Sequence, residues 1–519
     1  MPTDKFGGKD PESPATTSFA WDTMITKWDM IDTLLRGTEA MRDSGQGFLP
    51  IHEAESRLNY LERLGKCTLL NMLEITLDSL VGRPFSDPIE LNSDMPENVV
   101  ELMDDVDLQG NDLTVFSREW FRQGLAKGFC HVMIDFPRIP EEDFGSRTLA
   151  DDAAEGRRPY FVLIRPENVI FATSDFIQGE DGVMRETLTH VRIREWATQR
   201  IGFAEVVKER IRVLEPGVFF LFEKEEKRRR NQKDKWILID AGETGLPIIP
   251  LVTFYADREE LMTAKPPLED LAHLNVRHWQ STSDQISVLT VARFPMLAVA
   301  GAVEQPGSEM AIGPKQLLGT KDPNGKFYYV EHTGKSIGAG RQDLMDLEDE
   351  MAHYGAQFLK RKTGNETATA RALDSAEATS PLQDYTVRFM DAVSNALDIM
   401  AMWMGEAVGG TVSIATDFGP EVAENADMEA LTDARKRRDL SRVGWMEEMK
   451  RRGALADDFD IEADLERVLA EEVRLTAGSV IMDSNKINDE EVNLSNRKME
   501  LIQKATEGGK PTSTGGAGG

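Results

Sequence analysis

Residues 341–361 read RQDLMDLEDEMAHYGAQFLKR. Leu344, Leu347, Met351, Tyr354 and Phe358 step by three, four, three and four, which predicts a long helix with a heptad-like seam. A second helix is expected upstream, over 267–293. Past Pro267 it holds no Gly or Pro, and Leu268, Leu271, Leu274, Ile286, Leu289 and Ala292 are its packing positions. Pro266 and Pro267 suit its start and Pro295 its end. Between the two helices, residues 295–340 are rich in Gly and Pro and read as short strands and turns. Two long helices around a small insert thus organise the middle of the chain.

Working outward, a polar segment over 362–380 leads to another helix over about 381–405. Its apolar stripe is Tyr385, Phe389, Val393, Leu397, Met400 and Met404. Residues 411–418 read as one returning strand, and 420–505 as helical with breaks at Gly444, Gly453 and Gly478. Charge is segregated there: 435–452 hold eight basic and three acidic side chains, 457–472 eight acidic and one basic. Upstream, 159–255 is β-rich. Strands are expected at 160–165, 168–172, 187–196, 210–215, 217–223, 235–240 and 250–255, separated by turn signals such as Asp181-Gly182 and Pro216-Gly217. The charged run 223–235 caps an exposed hairpin. Residues 129–136 alternate as a strand would, after a short helix over about 112–128. One long helix is expected over 53–80, on Leu58, Leu61, Leu64, Leu70, Leu73, Leu77 and Leu80. Residues 1–20 and 507–519 read as loose ends. The fold class is α+β.

The chain has 519 residues, 40% of them hydrophobic, and a net charge of -30 from 60 basic and 90 acidic side chains. That length suits roughly three to four domains. The acidic excess excludes a protein that coats nucleic acid, because phosphate neutralisation needs Lys and Arg. Cys67 and Cys130 are the only cysteines, so neither a disulfide framework nor a Cys-based zinc site is expected, and a reducing cytosol is the expected place of synthesis. No secretory signal is expected from Met1 to Asp10, and the longest apolar run, Phe294 to Val303, is too short for a membrane helix.

Gly334-Lys335-Ser336 lacks the upstream glycine of a P-loop, since position 329 is Tyr329. Gly338-Ala339-Gly340 fails as a dinucleotide fingerprint, because Asp343 stands where the third glycine belongs. His273 and His278 are five apart and do not share a helix face. Asp104, Asp105, Asp107 and Asp112 form an acidic cluster without EF-hand spacing. No catalytic, cofactor or metal site is expected. Lys360, Arg361 and Lys362 end a helix, where cations suit the macrodipole or would face phosphate.

The order of elements resembles the portal proteins of tailed bacteriophages, over roughly residues 50 to 475. The resemblance is carried by Asn59 to Pro84, by Arg165-Pro166-Glu167-Asn168-Val169-Ile170, by Leu246 to Val252 leading into Lys265 to Asn275, by Asn365 to Ala370, and by Thr411 to Phe418 with the helices after it. It implies a ring, usually of twelve copies, around double-stranded DNA, acting as a hub and not as an enzyme. It implies a partly disordered arm over 1–50, a wing over 51–265, stem helices at 266–294 and 341–361, a clip at 295–340 and a tunnel-loop segment at 362–380. The long wing helix and strand would occupy 381–419, the crown 420–505 and a disordered tail 506–519. Lys360, Arg361, Lys362 and Arg371 are the tunnel candidates, and Lys315, Lys321, Asp322 and Lys326 the clip candidates for docking the motor. Implied partners are the terminase large subunit, head-completion proteins, and major capsid and scaffold proteins, with no membrane and no cofactor. The place is the capsid vertex of a virion made in the host cytoplasm. In such a ring, neighbouring copies are expected to bury the stem seam. Two other readings compete: a metal-dependent nuclease built on the acidic clusters, and a shell or scaffold protein.

Overall fold

The computed structural model describes residues 10–137, 155–178, 182–225, 234–293, 296–301, 322–330, 335–357, 380–416, 426–437 and 439–451, with scattered positions further on. It comprises two units, Met1–Pro420 and Glu421–Gly519.

The first unit opens with α1 (Phe19–Leu35), whose N-terminus is capped by the Ser18 hydroxyl accepting from the Trp21 N–H. After Arg36 the helix is interrupted at Gly37, whose φ of 80° favours glycine, and α2 (Gly37–Asp43) follows. The arm over 1–50, expected to be partly disordered, holds two helices in its described part. Met24, Trp28, Ile31 and Leu34 step along one side of α1 and are buried. Residues 10–18 lie on the sheet described below, where Arg192 donates to the carbonyls of Pro14 and Thr16.

The single helix expected over 53–80 is two, α3 (Arg57–Lys66) and α4 (Met72–Gly82). Cys67 is extended between them, and tertiary partners satisfy the backbone that the break frees. The Arg42 guanidinium donates to the Cys67 carbonyl. The Asn275 amide donates to the Leu70 carbonyl and accepts from the Leu73 N–H. Leu58, Leu61 and Leu70 consequently point to solvent.

Next come β1 (Glu90–Leu91), the short α5 (Glu97–Val100) and α6 (Leu113–Lys127). Asp112 caps α6 by accepting from the Val115 N–H at 2.7 Å, and Gly128 ends it in the left-handed region. β2 (Phe129–Asp135), β3 (Tyr160–Ile164) and, later, β9 (Leu251–Tyr255) form an antiparallel sheet with β2 in the centre. The strand expected over 129–136 is present, and both of its faces are buried. Cys130, Val132 and Ile134 enter one core, Phe129 and Met133 a second.

A five-stranded antiparallel meander follows: β4 (Val169–Gln178), β5 (Met184–Ile201), β6 (Ala204–Glu215), β7 (Val218–Lys224) and β8 (Trp236–Glu243). All were expected, though most are longer than their apolar cores suggested. The root of this sheet is apolar on both faces and buried. Val191 and Leu214 are paired and enter the second core, while Ile170, Ile211 and Val213 form a third. Further out, cross-strand ion pairs take over, such as Arg212 with Glu195 at 2.6 Å and Lys208 and Arg210 with Glu223.

A small hairpin, β10 (Arg258–Glu260) and β11 (Thr263–Ala264), leads into α7 (Glu269–Ala292). Then come β12 (Met296–Ala300), paired antiparallel with β13 (Lys326–Val330), and α8 (Lys335–Gln357). α9 (Pro381–Met404) starts in a capping box between Ser380 and Gln383 and ends on left-handed Gly405. β14 (Val412–Ser413) returns to pair with β1. It is shorter than the strand expected over 411–418. The second unit contains α10 (Ala426–Arg437) and α11 (Arg442–Arg451), within the stretch expected to be helical.

Candidate functional site

The helices that organise the sequence also organise the candidate site. α7 and α8 run antiparallel, since their contacts pair rising with falling numbers. The Tyr354 hydroxyl meets Asp270 at 3.3 Å, His278 meets Glu348 at 3.4 Å, Arg277 meets Asp343 at 3.5 Å, and Gln285 donates to the Ile337 carbonyl at 3.0 Å. The hairpin β12–β13 lies in the connection between them.

α8 was expected to start at 341 and starts at Lys335. Gly338 and Gly340, assigned by sequence to the Gly- and Pro-rich insert over 295–340, are helical. Gly340 packs closely on α7: an added Cβ would stand 2.2 Å from the Gln285 Oε1. At Gly355 an added Cβ would stand 3.0 Å from Thr76 of α4. The heptad-like seam is real, with Leu347 and Met351 buried and Leu344 and Tyr354 half-buried. Its cover is not a neighbouring copy, as expected, but the chain itself. Met351 belongs to the core that contains Leu271, Ala272 and Trp279 of α7 and Leu73 and Leu77 of α4.

What α8 leaves outside is acidic. Asp346, Asp349 and Glu350 line an open groove beside α7 with Leu274, His353, Tyr354 and Gln357. Burial, and then the Asp270 carboxylate, push the Tyr354 phenol up to about 12. The opposite side of α7 is tied down by charge. Arg63 donates to both Glu55 oxygens and to the Ser283 hydroxyl, and its hydrogen bonds hold the Glu55 carboxyl below its ordinary value.

Of the eight residues singled out from sequence, Lys360, Arg361, Lys362, Arg371, Lys315 and Lys321 lie outside the described residues, as does Phe358 of the seam. Asp322 and Lys326 belong to the hairpin. Asp322 shapes its turn, accepting from the Asn324 N–H at 2.9 Å, and Lys326 opens β13 opposite Ala300.

The acidic cluster is a loop-folding device. Asp105 accepts from the Gly110 N–H and pairs with Arg158, Asp107 accepts from Gln109 and Asn111, and Asp112 caps α6. Burial acts to raise the Asp107 carboxyl, but hydrogen bonds from Asn111 and Gln109 outweigh it and the net shift is downward. Among the described residues no three His, Cys, Asp or Glu side chains are grouped to hold a metal ion. Among them, too, no helix is long and apolar enough to cross a membrane.

One charged cluster gave no sequence signal. Lys127, the last residue of α6, is fully buried between Asp32 and Glu167. Its only trace in the sequence is a lysine directly before the helix-ending Gly128.

A family model described as a domain of unknown function (DUF4055) matches residues 267–404, about a quarter of the chain. That stretch runs from α7 through the hairpin and α8 to the end of α9. No curated protein matches the chain. Among solved structures, the chain is similar to one from the neck of an empty gene transfer agent (GTA) particle, at 11% identity and a TM-score of 0.36, over 74% of this chain and 90% of that one. A chain from the virion of the native GTA particle matches at 11% identity and a TM-score of 0.34, over 74% and 89%. One from the native neck, computed with C12 symmetry, matches at 10% identity and 0.34, over 72% and 88%. At these TM-scores no role passes from those chains to this one.

Proposed function

We propose that this chain is the subunit of a portal-type ring at a capsid vertex. Twelve copies would enclose a channel for double-stranded DNA during packaging and ejection. The observation that carries this reading is the antiparallel pair α7 and α8 with a two-stranded hairpin in its connection, placed after a β-rich region and before a long capped helix. Those elements follow the order implied by the portal resemblance. The outer surface of α8 supports it as well. Turned to the channel, a wall bearing Asp346, Asp349 and Glu350 would not hold phosphates, and DNA would slide along it. Contacts to DNA are then few, sequence-independent and basic, from Lys360, Arg361, Lys362 and Arg371. The hairpin segment docks the terminase motor during packaging and the head-completion proteins afterwards. ATP hydrolysis belongs to the motor and not to this chain.

Mass photometry with negative-stain imaging tests the reading. The expected particle is a closed ring near twelve times 58.0 kDa with a central hole. A chain that stays monomeric even when co-expressed with its scaffold and capsid proteins would overturn it.

A further inference from the structure

The five-stranded sheet leaves large apolar side chains in water at two opposite ends. β5 is 18 residues long; its first part pairs with β4 and its second with β6. Between them lies the root, where Val191, Ile193 and Leu214 are buried in the second core. Two ribbons therefore leave the root in opposite directions, and at the usual rise of a strand the ends of β5 stand roughly 55 Å apart. Among the described residues each ribbon is two strands thick at its end. Residues 184–190 of β5 pair with β4 alone, and residues 204–209 of β6 with β5 alone.

A two-stranded ribbon is marginal in water and gains nothing from bare apolar groups. Yet the β5–β6 ribbon exposes Trp196, Ile201 and Val207, and the Phe203 ring at its apex is fully exposed. Phe203 fills a two-residue turn with Gly202, whose φ of 63° satisfies the turn. Such turns favour Gly, Asn or Asp, so the turn itself does not call for phenylalanine. The β4–β5 ribbon exposes Phe176 at 70%, together with Ile177 and Met184.

Charge separates the two ends. Residues 196–209 are neutral, with Arg200 and Lys208 against Glu205 and Glu209. Residues 173–187 are acidic, with Asp175, Glu180, Asp181 and Glu186 against Arg185. Two acidic ends repel, whereas a neutral apolar end meets an acidic one without that cost. Two neutral ends could meet, but Phe176 and Met184 would then stay in water. Only a contact between unlike ends covers both, and a contact between unlike surfaces is the kind that closes copies into a ring.

We propose that the two ends of β5 are the two halves of one head-to-tail contact: the Phe203 tip of each copy docks on the Phe176 and Met184 end of the next. This rests on the ring reading and deepens it by naming where copies touch. An aromatic side chain buries ~150–250 Å², so Phe203 and Trp196 supply about half of the ~800 Å² per partner that a stable pair needs. A copy in a ring makes the contact twice, once at each end.

Cross-linking of the full chain tests it. Cys67 and Cys130 are buried, so a cysteine added at the surface is the reactive one. Ala204→Cys marks one end and Gln178→Cys the other, and both leave the apolar side chains in place. With a short bismaleimide, a mixture of the two chains is expected to give a covalent pair, and neither chain alone. A chain carrying both changes is expected to give a ladder of multiples up to the whole ring. A pair formed by Ala204→Cys alone would overturn the head-to-tail contact, and so would assembled rings without cross-links. Phe203→Ser with Ile201→Thr is expected to leave the urea midpoint of the monomer unchanged. It should raise at least about tenfold the concentration at which rings fall apart on dilution. A lowered midpoint means that the chain covers its own tip, and overturns the proposal. Rings as tight as the original ones overturn the contact and leave the ring reading standing, whereas an original chain that never assembles overturns both.

Discussion

Replacing Gly124 by alanine and Gly338 by alanine is the same change of chemistry inside two helices, and the structure gives it opposite signs. In a helix interior alanine is favoured over glycine by about 0.8–1.0 kcal/mol. At Gly338 an added Cβ would meet nothing within 4 Å, so most of that gain is retained and about 0.5–1 kcal/mol of stabilisation is expected. At Gly124 the Cβ would stand 2.3 Å from Phe254 Cδ1 and 2.5 Å from Cε1. The Phe254 ring cannot step aside. It is fully buried, stacked on Phe121 at 5.5 Å and edge-on to Phe389 at 5.0 Å. Overpacking of this kind costs about 1–3 kcal/mol or more. Subtracting the helical gain leaves Gly124→Ala destabilising by up to about 2 kcal/mol. A double variant with Phe254→Leu should recover much of the Gly124 loss, because the two changes share one space. Urea unfolding of the full chain, followed by helical circular dichroism, reads all three. The same sign at both glycines would refute the packing of α6 on β9, and so would strict additivity of Gly124→Ala with Phe254→Leu.

Other expectations are more local or bear on the ring reading. Asp112→Ala should cost about 1 kcal/mol, as the loss of an N-cap does, whereas a metal site would make it tolerable to stability and fatal to a divalent-dependent activity; thermal unfolding with and without divalent ions separates the two. Glu55 lies below its ordinary 4.5 because Arg63 hydrogen-bonds its charged form. Its contribution is therefore present above that value and lost as pH falls through the lower folded one, so Glu55→Gln should flatten the acid limb of the stability curve below about pH 4.5. Changing Lys360, Arg361 and Lys362 together to glutamate should leave ring mass unchanged and lower the yield of packaged genomes; normal yield removes them from the channel. Deleting 300–335 should spare the two sheets, as judged by circular dichroism, and abolish motor binding; a deleted ring that still captures the motor moves the docking site elsewhere.

Legibility followed the range of the forces that define each element. The meander β4 to β8 was legible because neighbouring strands are also neighbours in sequence; three of its four connections hold Gly or Pro, and the fourth is the charged run 225–235. α9 was equally plain, with Ser380, Pro381 and Gly405 marking its ends. The failures share a cause. The leucines from 58 to 80 keep helical spacing straight through Cys67, and the break is imposed by Arg42 and by Asn275, the latter about two hundred residues away. Gly340 falls in the Gly- and Pro-rich insert by composition, although it lies in α8 against Gln285. α1 was hidden behind a Pro-, Ser- and Thr-rich lead, although Met24, Trp28 and Ile31 keep a helical step. The Lys127 cluster draws on positions 32, 127 and 167, which no local window joins.

The fate of the α8 seam narrows what a ring interface would need. Leu347 and Met351 are buried inside the chain and Leu344 and Tyr354 are half-covered, so little of the seam's described part is left for a neighbouring copy to bury. The surface left over is polar and acidic around Asp346, Asp349 and Glu350. Like charges brought together there would repel, and salt screens them only beyond ~8–10 Å. On the ring reading, two arrangements follow: the acidic face turns to the channel, or it meets a basic surface of the next copy. They differ in one observable. With the face in the channel, replacing Asp346, Asp349 and Glu350 by lysine leaves ring assembly intact and slows DNA passage, because new cations hold phosphates. With the face at an interface, the same change breaks the ring before any DNA is present. Ring mass measured at low and high salt tells them apart: it is insensitive to salt in the first arrangement and falls with added salt in the second.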